Sequence, residues 1–486
     1  MANMKTDLRS DTRRSVPRIR MLIGGAWREG GTERDVVNPY NGEIVARTPE
    51  SSLQDLDDAL RAATAAKTQA AAMPGYQRAA LLRKAGQLLL DRADEIAKVM
   101  TRETGKAIKD AKAEVIRSQD TVLLSAEEAI RIEGEQVPLD GSQMGAGKMA
   151  FMLRFPVGVV AGITPFNAPF NLACHKVAPA IAAGNTIVLK APPQAPGVVT
   201  MLCELFADAG APPGFVNLLH GNSVGPALVR DPRVDFITFT GSSRVGLDIK
   251  AASGTRRVAL ELGGNGITIV HSDADLADAA PTCARNAMRL AGQSCISVQN
   301  VFVHDSLYEP FVEQLVENVR KLRLGDPMDP ATDVGTLIDE AAAKRVEQWV
   351  TEASGRGARL LTGGKRHGTQ YEPTVLVDVD PSMKVVCEEV FGPVVTVQRY
   401  RDLAPVLAAV SADRYGLQCG IFTRSLPVAF QAIRGLRVGG VIINGSSTWR
   451  TDQLAYGGVK ASGTGREGPR YAIRDMTEER LVVFNL

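Results

Sequence analysis

The 486-residue chain is long enough for two to four folding units at roughly 100 to 200 residues each, and 45% apolar with 23% charged residues is ordinary globular composition, which excludes a disordered or collagen-like chain. With 56 Lys plus Arg against 54 Asp plus Glu the formal net charge is +2, too small for a broad field that recruits nucleic acid or an anionic membrane. Six cysteines without CxxC pairs and five histidines leave neither a metal site nor a disulfide framework legible, and no run approaches the ~20 apolar residues that cross a bilayer.

In chain order, residues 1–20 carry Lys5, Arg9, Arg13, Arg14, Arg18 and Arg20, interrupted by Asp7 and Asp11 and followed by no hydrophobic region. They read as a flexible solvated tail, not a secretory signal, and with unpaired thiols the expected location is the cytoplasm. Ser52-Leu-Gln-Asp55 predicts a capping box that opens a helix with Leu56, Leu60 and Ala63 on one stripe, stopped by Pro74-Gly75. Two more helical stretches follow, broken near Gly105. Val137 to Met152, with Pro138 and three glycines, reads as a connection or edge hairpin leaving the first domain.

From Val157 the texture becomes strand, turn, helix, strand, through Val157–Ile163, Asn185–Lys190, Phe215–Leu219 and Phe236–Phe239. Buried apolar strands separated by helices predict an α/β fold with a parallel sheet. A second α/β region is expected from about Asp273 to Gly440, and Glu479–Phe484 as a last strand.

A nucleotide lies at the carboxyl ends of the strands of such a sheet. Phe239-Thr-Gly-Ser-Ser-Arg-Val-Gly246 leaves a strand through Gly241 and enters a helix, so Gly241 and Ser242 form either a diphosphate site at a helix N-terminus or an ordinary strand-to-helix turn; the P-loop ending and the GxGxxG fingerprint are both absent. Lys190 ends a strand before Pro192-Pro193 and reaches either a ribose or phosphate, or solvent.

Three separated motifs carry chemistry when read together: Ile163-Thr-Pro-Phe-Asn-Ala-Pro169, Leu260-Glu-Leu-Gly-Gly264 and Gly292-Gln-Ser-Cys-Ile-Ser297. An Asn in a proline-bracketed loop, a Glu at a strand end and a Cys entering a helix can supply an oxyanion donor, a base and a nucleophile; singly they are a turn Asn, a surface Glu and an inert buried Cys.

With Asn38-Pro-Tyr-Asn-Gly42, Glu388-Glu-Val-Phe-Gly-Pro393, Tyr456-Gly-Gly-Val-Lys-Ala-Ser-Gly463 and Gly465-Arg-Glu-Gly468 in the same order, the chain resembles the aldehyde dehydrogenase superfamily over nearly its whole length. The resemblance implies Cys295 as nucleophile, Asn167 as oxyanion donor and Glu261 as the base that activates water against a thioester. It implies NAD or NADP as cofactor, with Thr164, Pro165, Phe166, Lys190, Gly241, Ser242, Leu262, Glu389 and Phe391 around it, and no metal. Pro193 stands where NAD-preferring relatives often have an acidic residue, so NADP is expected to be tolerated.

Phe170-Asn-Leu-Ala-Cys-His-Lys176 resembles relatives acting on lactaldehyde, glyceraldehyde 3-phosphate and phosphonoacetaldehyde. Arg117, His175 and Arg450 are the expected anchors of a small anionic or hydroxylated aldehyde, each otherwise a structural ion pair or core hydrogen bond. Cys174 faces away from any partnership with His175 and is read as packing.

The family fold implies a cofactor domain over 21–136 and 153–262, a catalytic domain over 263–450, and bridging strands at 137–152 and 471–486 whose exposed edges suit a homodimer or homotetramer. Competing readings are a CoA-acylating enzyme, which usually lacks the Glu261-type base, a non-catalytic protein on this fold, and a cofactor-independent cysteine hydrolase.

Overall fold

The computed structural model describes residues 16–486, so Lys5, Arg9, Arg13 and Arg14 of the expected tail lie outside the described residues. Residues 17–19 are not tail: the Ile19 N–H donates to the Arg47 carbonyl and the Arg47 N–H to the Pro17 carbonyl, each at 2.8 Å. Two hairpins follow, β1 (Met21–Ile23) with β2 (Ala26–Arg28) and β3 (Glu33–Val37) with β4 (Ile44–Pro49).

Helix α1 (Leu53–Ala72) opens on the expected capping box: the Ser52 hydroxyl accepts from the Asp55 N–H at 3.1 Å and the Asp55 carboxylate from the Ser52 N–H at 2.8 Å. Its stripe of Leu56, Ala59, Leu60 and Ala63 is buried against the first sheet. Three helices follow, not two: α2 (Gly75–Asp91), α3 (Ala93–Thr104) and α4 (Ile108–Ala129). The extra break falls at Arg92, where neither Gly nor Pro announces it.

After β5 (Glu135–Val137) and β6 (Lys148–Pro156) the chain builds the first sheet from β7 (Val159–Ile163), α5 (Pro169–Ala182), β8 (Thr186–Lys190), α6 (Pro196–Ala209), β9 (Val216–Leu219), α7 (Gly225–Arg230), β10 (Phe236–Thr240), α8 (Ser243–Ala252) and β11 (Arg257–Glu261). The parallel strands lie in the order β9-β8-β7-β10-β11. Successive strands run outward from β7 on one side and from β10 on the other, so the topological switch lies between them, and the loops after β7 and β10 flank one crevice.

The second sheet comprises β12 (Ile267–Val270), β13 (Asn300–His304), β14 (Arg359–Thr362), β17 (Thr374–Val377), β18 (Val394–Tyr400), β19 (Gln418–Phe422) and β20 (Gly440–Ile443), with a small β15–β16 hairpin (Arg366–His367, Gln370–Tyr371) beside it. It is parallel except for β14, and begins earlier and ends slightly later than the expected Asp273 and Gly440. A two-residue strand, β21 (Gly463–Thr464), returns to the first sheet and pairs with Leu260 and Glu261 of β11, laying the 450–468 loop over the strand ends. The last strand, β22 (Thr477–Asn485), pairs along β6 in a three-stranded sheet with β5, from Thr477 opposite Pro156 to Asn485 opposite Lys148.

Candidate active site

Asn167, Glu261 and Cys295 line one cleft of about 460 Å³, a size typical of small-molecule sites. Asn167 leaves the end of β7 on a loop pinned by Thr164, whose N–H and hydroxyl both donate to the Lys190 carbonyl at 3.3 Å. The Asn167 Nδ2 donates to the Gln293 carbonyl at 3.0 Å, which holds the amide beside the chain segment carrying Cys295.

Cys295 does not enter a helix, as its sequence context suggested. It sits in a turn after Leu290, Ala291 and Gly292, three successive residues with positive φ of 57°, 52° and 70°. Non-glycine residues pay about 1–3 kcal/mol there, so surrounding structure must impose the conformation. Gln293 does so: its Nε2 donates to Leu290 O (3.2 Å) and Thr336 O (3.1 Å), and its Oε1 accepts from Ile338 N (2.9 Å). The Cys295 Sγ lies 3.2 Å from the Tyr456 hydroxyl. Burial pushes the thiol up to about 12, and the Tyr456 hydrogen bond opposes that rise.

Glu261, the last residue of β11, is buried, and neither carboxylate oxygen has a hydrogen-bond partner. Gly457 makes room for it, since a Cβ there would lie 2.6 Å from Oε1. Burial first, then the charge of Glu467, raise its pKa well above the ordinary carboxylate value, while Arg450, Lys176 and Arg466 oppose. Glu467 is the converse case. Burial disfavours its charge, but Arg450 (2.9 Å) and Lys176 (3.6 Å) hold it ionised, with a pKa near about 2. Glu467, Lys176 and Tyr456 were not singled out from sequence, although each lies inside a quoted motif block; no spacing signals that they converge on Glu261 and Cys295.

The residues expected around a cofactor divide into two groups. Pro165, Phe166, Gly241, Ser242 and Leu262 line the cleft, together with Glu389 and Phe391. Ser242 caps α8, its hydroxyl accepting from Val245 N at 3.4 Å. Glu389 accepts from Gly264 N at 3.2 Å, and burial raises it to about 7. A side chain at Gly263 would strike that carboxylate, its Cβ falling 2.4 Å from Oε2. Phe391 adopts φ 49° and meets the Phe166 ring edge-on at 6.0 Å. These features fit a dinucleotide: a glycine-walled floor, a helix N-terminus and a buried carboxylate facing one crevice at the switch point.

Lys190, Thr164 and Pro193 lie outside that cleft. Lys190 Nζ makes three bonds, to Gly221 O (2.9 Å), Ala191 O (3.1 Å) and Asn222 Oδ1 (3.3 Å), and burial lowers it to about 8. Its donors are therefore engaged within the protein. Pro193 leaves no carboxylate at its own position, but Glu50 brings one near Lys190: it accepts from Asn222 N (2.9 Å) and Ser223 N (3.2 Å) and its charge acts on Lys190. A local reading around Pro193 cannot detect it.

Of the three expected substrate anchors, Arg117 and Arg450 line the cleft and His175 does not. Every residue of α5 is buried, so its histidine faces the interior, where Nε2 is 3.2 Å from both Asp452 Oδ1 and Arg450 Nη2. Burial lowers its pKa, against the opposing charge of Asp452. Arg450 also donates to Glu467 and stacks 3.7 Å above the Tyr456 ring. Arg117 pairs with the buried Asp452, which in turn accepts from Thr121 at 2.8 Å. Among the described residues, Nη1 of neither arginine donates to a protein atom. Cys174 is buried, and its thiol is pushed up by burial, in keeping with a packing role.

A thiol beside an amide donor and a buried carboxylate, opening on a dinucleotide-shaped crevice, defines a cysteine-dependent oxidoreductase of the doubly wound α/β type. A family model described as "Aldehyde dehydrogenase family" matches residues 27–482. A 3-sulfolactaldehyde dehydrogenase of Priestia aryabhattai is 44% identical over 473 residues, 97% of this chain and 99% of the relative. The NADP+-dependent succinate-semialdehyde dehydrogenase of Escherichia coli K12 is 37% identical, covering 96% and 98%. Aldehyde dehydrogenase 21 of Physcomitrella patens, solved with the reaction product succinate, superposes with TM-score 0.95 at 40% identity, covering 97% and 99%. The NADP-dependent glyceraldehyde-3-phosphate dehydrogenase of Bacillus halodurans, solved with NADP, gives 0.94 at 36% identity, covering 96% and 99%. The chain belongs to the aldehyde dehydrogenase family and is an NAD(P)-dependent oxidoreductase.

Proposed function

We propose that this enzyme oxidises a small aldehyde bearing an anionic group, with 3-sulfolactaldehyde the first candidate, to the carboxylic acid. The observation that carries the reading is the pair Arg117 and Arg450, which line the cleft of Cys295 and, among the described residues, each have no protein partner at Nη1. A guanidinium pair in a half-enclosed cleft matches the oxygens of a sulfonate, carboxylate or phosphate. The names of the sulfolactaldehyde and succinate-semialdehyde relatives support the same substrate class.

In this reading the Cys295 sulfur attacks the aldehyde carbon, and the Asn167 amide with the Cys295 N–H receives the developing oxyanion; losing one such donor typically costs about 100- to 1000-fold. NAD or NADP, held by Gly241, Ser242, Leu262, Glu389 and Phe391, supplies the hydride acceptor when bound. Glu261 takes a proton from the water that hydrolyses the thioester, for which an unpaired buried carboxylate of raised pKa is suited. That base favours hydrolysis over acyl transfer to CoA.

The eight-, seven- and three-stranded sheets support a division into a cofactor domain, a catalytic domain and bridging strands. The apolar residues Leu481, Val483 and Phe484 exposed on β22 support pairing with a second copy in a homodimer or homotetramer. All six cysteines are free, which supports residence in the cytoplasm.

The decisive assay follows reduced-nicotinamide absorbance with short aldehydes bearing sulfonate, carboxylate, phosphate, hydroxyl or no polar group, with both cofactors. The anionic aldehydes are expected to exceed their neutral counterparts in kcat/KM by about 100-fold, a difference of roughly 3 kcal/mol. Equal values across the panel exclude the proposed anchor.

A further inference from the structure

Two groups meet at the inner end of the cleft, and each is the other's sole hydrogen-bond partner among the described residues: the Tyr456 hydroxyl and the Cys295 sulfur, 3.2 Å apart. The Tyr456 ring is buried and packs with Ile296 and Leu417, contacts that a phenylalanine would make equally well. A buried hydroxyl is costly unless bonded, so the sulfur is what accounts for its tolerance there. The guanidinium of Arg450, 3.7 Å above the ring centroid, draws on the ring's electron density and makes the phenol a better donor.

We propose that Tyr456 is a catalytic residue whose hydroxyl donates a hydrogen bond to the Cys295 sulfur whenever that sulfur carries negative charge. The inference rests on the reading of Cys295 as the nucleophile. Charge on sulfur arises twice in a turnover. First, the thiol proton is lost to solvent water, and the thiolate pair then forms the S–C bond as the carbonyl π pair moves to oxygen. In hydrolysis, water forms the new O–C bond while giving a proton to Glu261, the C–S bond breaks and its electron pair returns to sulfur. Tyr456 keeps its proton in both steps and only orients it toward the sulfur. The other charged groups facing the sulfur are Glu389 and Glu261, which disfavour the thiolate, and Arg450, which favours it; none of these is bonded to it.

The test is the rate of Cys295 alkylation by iodoacetamide from about pH 6 to about pH 10, alongside steady-state kinetics, for wild type, Tyr456→Phe and Cys295→Ser. In Tyr456→Phe alkylation is expected to be at least about tenfold slower at every pH of this range, because the thiolate fraction below the thiol midpoint falls about tenfold for each unit that the midpoint rises. The value of kcat is expected to fall about 10- to 100-fold with aldehyde KM changed less than about threefold. A profile superimposable on wild type overturns the proposal. Should the phenylalanine variant fail to fold, 3-fluorotyrosine at position 456, a stronger donor of nearly the same shape, is expected to raise the alkylation rate across the same range, and an unchanged rate has the same overturning force. Failure of the nucleophile reading looks different: Cys295→Ser would retain turnover, or alkylation at Cys295 would leave wild type active.

Discussion

Arg117 of α4 and Asp452 of the loop before β21 are 335 residues apart, yet Nε (3.1 Å) and Nη2 of the guanidinium both donate to the same carboxylate oxygen, Oδ1. The same oxygen lies 3.2 Å from His175 Nε2, so this buried carboxylate sets the direction of Arg117, while Glu467 at 2.9 Å sets that of Arg450, the other arginine of the proposed anion site. Asp452→Asn keeps the volume and an acceptor for Thr121 but removes the charge. The expected result is a KM for anionic aldehydes raised about 10- to 100-fold, with kinetics on a neutral aldehyde nearly unchanged, as checked by initial rates on the matched pair. Equal losses on both would instead mark a general structural defect.

Glu261 must be ionised to accept a proton, and its pKa is raised, so kcat falls on the acid side at a pH well above the 4.5 of an ordinary glutamate. Glu467→Gln removes the like charge and frees Arg450 and Lys176 to act on Glu261; both changes lower its pKa, so the acid limb is expected to move down by about one unit or more. Glu261→Gln is expected to release about one equivalent of reduced cofactor per site rapidly and then turn over about 100- to 10000-fold more slowly, visible by stopped-flow absorbance.

Glu50 places a negative charge on the loop that holds Lys190, where a carboxylate at position 193 is absent. Glu50→Gln is expected to raise the ratio of kcat/KM for NADP over NAD about tenfold, since like-charge repulsion toward a 2'-phosphate is removed. An unchanged ratio places Glu50 outside the reach of the adenosine ribose.

Glu103 caps the first turn of α6, accepting from Gly197 N at 2.8 Å and Val198 N at 3.0 Å, and burial raises its pKa to about 8. A carboxyl raised in the folded state contributes stability that is fully present below about 4.5 and is lost as pH rises through about 8. Glu103→Gln preserves an acceptor without a titrating proton, so the decline of Tm between about pH 5 and pH 8 is expected to flatten, as thermal unfolding across that window measures.

The parallel strands and the helix opened by Ser52 and Asp55 were legible in the chain because periodicity, caps and turn residues act over a few positions. The motifs carrying Asn167, Glu261 and Cys295 were legible for the same reason: each is a short run with a backbone requirement of its own, such as Gly-Gly after Glu261. Tertiary structure alone decided that Cys295 lies in a turn, because Gln293 holds three left-handed residues through contacts with Thr336 and Ile338. It alone turned His175 away from the cleft, brought Glu50 beside Lys190, and joined Arg117 to Asp452. Electrostatic pairing depends on distance in space, and which distant side chains come within 4 Å is settled by sheet order and loop return, which local sequence does not encode.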